Sequence, residues 1–339
     1  MKTVIGNKKD LERAARVLRD GGLVVFPTET VYGLGGNALD SGAAEKIYAA
    51  KGRPSDNPLI VHLADAHEAE KYAHTNSLFY RIAERFMPGP ITVILPKRDI
   101  IPLSVTGGLD TVALRVPSNV IARRLIELSG LPIAAPSANI SGKPSPTKAS
   151  HVIHDLDGRV DMIIDGGDCD IGLESTIVRI DGEDALTLCR PGAVTCEQLS
   201  ELCGRVNIDK AVTEKLADCE RPIAPGMKYR HYAPSCPVIL IDGEHEKAVE
   251  YIKERADKHT GVMCFDCDMS EFLRAGLTVS LGVIGDADAR AHRLFDALRV
   301  FDGREDIERV YSFLPDKSGI SFAVFNRLIK AAGFHTEKV

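Results

Sequence analysis

Apolar positions along the chain alternate between a helical spacing and short unbroken runs, and this alternation predicts a layered α/β protein. Leu11, Ala14, Val17 and Leu18 recur at helical spacing. Gly21 and Gly22 stop that helix, and the run Leu23 to Phe26, closed by Pro27, reads as a buried strand. The pattern then predicts helices at residues 42–50, 78–86, 121–128 and 196–203. It predicts strands at 59–63, 91–95, 111–116, 131–135, 161–164, 176–180 and 185–189. The last two read as a hairpin around 181–184, and strands that succeed one another without a helix predict a mixed sheet.

Residues 221–237 carry Pro222, Pro225, Gly226, Pro234 and Pro237 among Lys228, Arg230 and His231, which resists helix and strand alike. That stretch reads as an ordered linker. Beyond it, strands at 238–241, 261–265 and 281–284 alternate with helices at 248–256, 288–300 and 322–332, predicting a second, smaller α/β unit. The plan is therefore a domain at 1–205, a linker at 206–237 and a domain at 238–339. A chain of 339 residues exceeds the usual size of one core, which agrees with two.

Charge argues against one class of function. The formal net charge is −6, with 23 basic and 26 acidic residues up to Arg205 and 19 basic and 22 acidic after it. Neither part is a cationic body for gripping a long polyanion, so any phosphate site must be a local pocket. No stretch has the length and apolarity of a membrane span, and the first twenty residues lack the apolar centre of a secretory signal, so the cytoplasm is the expected location. The eight cysteines fall between Cys169 and Cys267 and are expected to be reduced. Cys264 and Cys267 form a CxxC pair with no second pair or HxxxH spacing beside it, so the spacing does not complete a zinc site.

Candidate chemistry gathers where apolar strands end. Lys51-Gly52-Arg53-Pro54-Ser55-Asp56-Asn57-Pro58 places two cations, a hydroxyl and an amide in a turn entering a strand, suited either to phosphate oxygens or to solvent. Pro27-Thr28-Glu29-Thr30-Val31-Tyr32-Gly33-Leu34 leaves one strand, and Ala135-Pro136-Ser137-Ala138-Asn139-Ile140-Ser141-Gly142 leaves another, running into the polar stretch 143–148. Strand ends are where α/β sheets bind ligands. His62 lies within a strand just after the basic turn, and Arg115 lies inside an apolar strand. No GxxxxGK[ST] loop is present, and Gly33-Leu34-Gly35-Gly36 lacks the dinucleotide-binding spacing.

These pieces, PTETVYGLG, KGRPSDNPLIVH, TVALRVP, APSANISG, ESTIV and RPG, resemble the YrdC-like domain of the threonylcarbamoyl-adenylate synthase family. APGMKYRHYAP and the unit after it resemble the carboxy-terminal extension of the family's long form. The resemblance implies a twisted mixed sheet with flanking helices, plus a smaller Rossmann-like α/β domain. It implies that L-threonine, bicarbonate and ATP yield L-threonylcarbamoyl-AMP and pyrophosphate, for modification of the tRNA adenosine beside the anticodon.

By the same resemblance Thr30, His62, Arg115, the Ala135 backbone and Ser175 would hold threonine. Lys51, Arg53, Asn57, Thr111, Ser137, Ser145, Arg190 and Tyr232 would hold ATP, with Lys51 and Arg53 stabilising the reacting phosphates. Mg²⁺ would arrive with ATP and need few protein ligands, so no metal-ligating residue is expected. The product would pass to a tRNA threonylcarbamoyl transferase, with at most weak contact to tRNA, and the linker with the extension would act as a lid. Two rivals are an RNA-binding module using the same cationic turns, and a carbamoyl transferase, whose zinc-finger modules this chain lacks.

Overall fold

The apolar stripe of the first helix and the strand behind it are the seed of the larger unit. In the computed structural model, which describes residues 2–216, 220, 222–227 and 231–339, the chain divides into two units. Lys228 and Arg230 of the expected linker, and Cys219, lie outside the described residues. One unit is Met1–Ser141 with Ser145–Lys228; the other is Gly142–Pro144 with Tyr229–Val339.

The first unit runs β1 (Val4–Asn7), α1 (Leu11–Arg19), β2 (Val24–Phe26), β3 (Gly33–Asn37), α2 (Ser41–Lys51), β4 (Ile60–His62), α3 (Ser77–Phe86), β5 (Ile91–Pro96) and β6 (Thr111–Arg115). It continues through α4 (Val120–Ser129), β7 (Ile133–Ala134), α5 (Ala149–Leu156), β8 (Met162–Asp165), β9 (Thr176–Ile180), β10 (Ala185–Arg190), α6 (Cys196–Ser200) and β11 (Arg205–Ile208). These strands form one sheet in the order β1-β8-β2-β3-β7-β4-β6-β5-β9-β10-β11. It is mixed, as expected: β4 lies parallel to β6 and antiparallel to β7, and β9 and β10 form the antiparallel hairpin.

Leu11, Ala14, Leu18 of α1 and Ala122, Leu125, Ile126 of α4 bury against Val24, Phe26 and Ile133. Burial of each larger apolar side chain contributes about 1.5–3 kcal/mol. Another cluster sets Ile60, Ala113 and Ile177 against Ala211, Leu216, Ala224 and Met227. These residues between 211 and 227 are thus packed onto the sheet of the first unit, although the prolines among them read as linker.

The second unit runs β12 (Val238–Asp242), α7 (His245–Arg255), β13 (Thr260–Cys264), β14 (Leu277–Ser280), α8 (Ala287–Val300), β15 (Arg309–Phe313), α9 (Ser321–Ala331) and β16 (Thr336–Lys338). Its five strands are ordered β14-β13-β15-β12-β16 and every neighbouring pair is parallel, a Rossmann-like arrangement.

The structure corrects one strand. The run 281–284 is not extended into the sheet; residues 277–280 pair with β13 instead, Val279 opposite Met263. Gly282 has φ +101°, which ends the strand, and Val283 and Ile284 are exposed. The spacing also passed over β1, β3, β11, β15, β16 and α5. Of these, β1, β11 and β16 are short sheet edges.

Candidate active site

Two strand ends, those of β2 and β7, release the loops at 27–32 and 135–142, and backbone hydrogen bonds lock the loops together. Leu34 N donates to Pro136 O at 2.9 Å, and Ala138 N donates to Tyr32 O at 2.8 Å. Tyr32 N donates to Pro146 O at 2.9 Å, and Ile171 N donates to Glu29 O at 2.8 Å, so the chain at Pro146 and the segment before β9 join the same assembly.

On this scaffold Arg115, at the end of β6, sits in register beside His62, at the end of β4. The guanidinium is buried and donates through one terminal nitrogen to Glu29 Oε1 at 2.7 Å and to Thr30 Oγ1 at 2.9 Å. Thr30 Oγ1 is also 2.9 Å from Thr28 Oγ1. Arg115 Nε and Glu29 Oε2 are both buried without a hydrogen-bond partner. A buried donor and a buried acceptor left open on one ion pair cost free energy unless a ligand fills them.

His62 is buried with Nδ1 3.1 Å from Ile60 O, and its ring meets Phe26 edge-on. Burial, then the Arg115 charge, pulls its pKa down to about 3. The ring is therefore neutral at physiological pH, a shaping and hydrogen-bonding group and not a cation. Ala135 N donates to Ile60 O at 2.8 Å, which fixes that backbone next to the histidine strand. Ser175 Oγ is 2.8 Å from Thr92 Oγ1 and accepts from an Arg190 terminal nitrogen at 3.1 Å; Arg190 Nε donates to Ser175 O at 3.0 Å.

Lys51 ends α2, and Gly52 behind it takes the left-handed conformation with φ 63°. The ammonium is buried and donates to Ser137 O and Asn139 O, each at 2.5 Å. Lys51 thus clamps the 135–142 loop to the basic turn, and Ser141 N returns a bond to Lys51 O at 2.9 Å. Ser137 Oγ donates to Asn139 Oδ1 at 2.5 Å. Arg53 donates to Pro58 O at 3.1 Å, and Asn57 is buried, its carbonyl accepting from Tyr48 OH at 3.2 Å.

Ser145, also buried, donates to Glu174 Oε1 at 2.5 Å, adjacent in sequence to Ser175. Thr111 begins β6 on the same face as Arg115 and about 13 Å before it, four strand residues away. Tyr232 belongs to the second unit, where it is buried with φ 64° and packs on Phe295, ring centroids 5.2 Å apart.

Four polar residues that the motifs left unassigned emerge here: Glu29, Thr92, Asn139 and Glu174. Glu29 and Glu174 adjoin assigned residues in the chain, and Asn139 lies two positions from one. Thr92 is found only through sheet packing.

Comparison with known proteins identifies the family. The model of the "Telomere recombination" family matches residues 16–192, and that of the "Threonylcarbamoyl-AMP synthase, C-terminal domain" matches residues 194–333. The chain is 45% identical over 331 residues to the threonylcarbamoyl-AMP synthase of Bacillus subtilis, covering 96% of this chain and 94% of that protein. This chain belongs to the threonylcarbamoyl-AMP synthase family. A second member, from Pyrococcus abyssi, is 46% identical over 336 residues, covering 96% of this chain and 95% of that one. The crystal structure of P. abyssi Sua5 complexed with L-threonine superposes with a TM-score of 0.92 at 43% identity, covering 99% of this chain and 100% of that chain. The superposition thus spans both units of the chain.

Proposed function

We propose that this chain condenses L-threonine, bicarbonate and ATP into L-threonylcarbamoyl-AMP, releasing pyrophosphate. The observation that carries the reading is the pair of unfilled buried groups, Arg115 Nε and Glu29 Oε2, beside Thr30, in a chain 43% identical to a protein crystallised with L-threonine. A free amino acid is a zwitterion. Its carboxylate matches the open guanidinium N–H, and its ammonium matches the open carboxylate oxygen. Thr30 and Ser175 offer hydroxyls, and His62 offers a neutral ring.

In this reading the threonine ammonium releases a proton, and the resulting amine adds to carbon dioxide derived from bicarbonate, giving a carbamate, with water lost from the bicarbonate. A carbamate oxygen then attacks the α-phosphorus, and pyrophosphate leaves. The barrier lies in charge on phosphate oxygens, so cations and fixed donors do the catalytic work without a protein nucleophile. Arg53 and the basic turn supply positive charge. Lys51 serves both by its charge and by holding the 135–142 loop, where Ser137 lies. Asn57, Thr111, Ser145 and Arg190 complete the ATP contacts in this reading.

Magnesium enters with the nucleotide. In this reading Glu29 serves Arg115 and the threonine ammonium, and Glu174 accepts from Ser145, so the triphosphate and water would hold the ion. Bound there, Mg²⁺ would neutralise the leaving pyrophosphate. The product would pass to a transferase acting on tRNA, which fits a reaction in the cytoplasm. The deciding experiment is pyrophosphate release from ATP and Mg²⁺ with bicarbonate and L-threonine, L-serine or no amino acid, with mass analysis of the adenylate. Release that requires both threonine and bicarbonate supports the reading; release indifferent to either refutes it.

A further inference from the structure

The CxxC pair at Cys264 and Cys267 lacks a second pair of ligands in its spacing, but the fold brings ligands from elsewhere. His245 lies just past β12 and opens α7, while Cys267 and Asp268 lie just past β13. In the parallel sheet β13 and β12 stand on either side of β15, so all three residues lie past the carboxyl ends of strands at the same edge of the sheet. That edge is where open α/β sheets bind ligands.

The side chains converge. Asp268 Oδ1 is 3.0 Å from His245 Nε2 and 3.5 Å from Cys267 Sγ, and the three ligand atoms lie within 4.8 Å of one another. An imidazole nitrogen and a thiolate bound to one tetrahedral zinc ion, at about 2.0–2.1 Å and 2.3 Å, stand about 3.6 Å apart. The trio therefore needs a closure of about 1 Å, which a rotation of the exposed Cys267 side chain can supply.

Its partners are already held. The Asp268 side chain is 8% exposed and its other oxygen accepts from Phe265 N at 3.4 Å. The His245 ring lies against Phe313, at 4.8 Å between centroids, and Phe265, at 5.7 Å, which fix its plane. Cys264 is buried and its thiol meets Met269 Sδ at 3.7 Å, so it stands outside the trio.

We propose that His245, Cys267 and Asp268 form a binding site for a borderline-soft divalent cation, zinc or a similar transition metal, with its remaining coordination open to solvent. Nitrogen, sulfur and oxygen together suit such ions, whereas Mg²⁺ takes oxygen ligands. On binding, the Cys267 thiol proton leaves to solvent and the ring presents the Nε2 lone pair, its proton residing on Nδ1. All three residues belong to the second unit, and the inference does not rest on the proposed reaction.

The test is titration of the full-length, chelator-treated protein with Co²⁺, monitored by optical absorption. One equivalent per chain, a thiolate-to-cobalt band in the near ultraviolet, and displacement by Zn²⁺ but not by excess Mg²⁺ are expected. Cys267→Ser should abolish the near-ultraviolet band, and His245→Ala should weaken Co²⁺ binding about tenfold or more. Circular dichroism checks the fold of each variant, and Cys267, being exposed, tolerates the change to serine. Absence of saturable binding, or a near-ultraviolet band that survives in Cys267→Ser, overturns the proposal.

Discussion

Arg115 and Glu29 form a buried ion pair whose charges have little water to fall back on. Removing one partner leaves the other uncompensated, at a cost of about 3–5 kcal/mol. Arg115→Met is therefore expected to lower unfolding stability by that amount, measured by urea denaturation; a loss below about 1 kcal/mol would mean the pair is well solvated. His62 sets a pH dependence. Its folded pKa of about 3 lies below the unfolded value near 6.5, so the stability it contributes is present above pH 6.5 and is lost as pH falls. Between pH 7 and 5 the unfolded chain gains the proton first, and wild type should lose about 2 kcal/mol more than His62→Asn. Equal losses in both proteins would contradict a buried neutral histidine. Lys51→Ala removes a charge-assisted donor and a loop clamp, and should cut turnover by roughly ten- to a hundredfold or more. Pyrophosphate release measures it, and normal turnover would take Lys51 out of the mechanism.

At the scale of elements, β3 shows why a glycine run can be a strand. Gly33-Leu34-Gly35-Gly36 carries no strand pattern, yet it pairs as a strand, and a Cβ on Gly35 would stand 2.6 Å from Phe26 Cε1 and 2.8 Å from Ile133 Cγ2. The neighbouring strands fill the space, so the backbone must come without side chains. Gly35→Ala should cost about 1–3 kcal/mol by overpacking, read from the denaturation midpoint. Substitution at Gly52 acts differently, because its added Cβ would meet nothing within 4 Å and the strain would come from φ +63° alone. The helices α1 and α4 were legible because a buried stripe repeats every three to four residues. The edges β1, β11 and β16 were not, since three or four residues carry no period long enough to read.

At the scale of the whole molecule, charge decides between the enzyme and a module that grips RNA. With a net charge of −6 and an acidic excess in both parts, affinity for a tRNA backbone should be weak at physiological salt. Filter binding across a salt series checks this, and tight binding with a steep salt slope would revive the RNA-binding reading. Local order in the chain determined the two-unit plan, the mixed sheet and the strand-end loops at 27–34, 51–58 and 135–142, because periodicity and turn chemistry act over a few residues. The resemblance of six short motifs supplied the family. Tertiary structure alone decided that Glu29 completes Arg115, that Thr92 supports Ser175, and that Ala211, Leu216, Ala224 and Met227 pack onto the first sheet. It also decided that His245 meets Cys267 and Asp268. These pairings join residues far apart in the chain through sheet order and register, which no local pattern encodes.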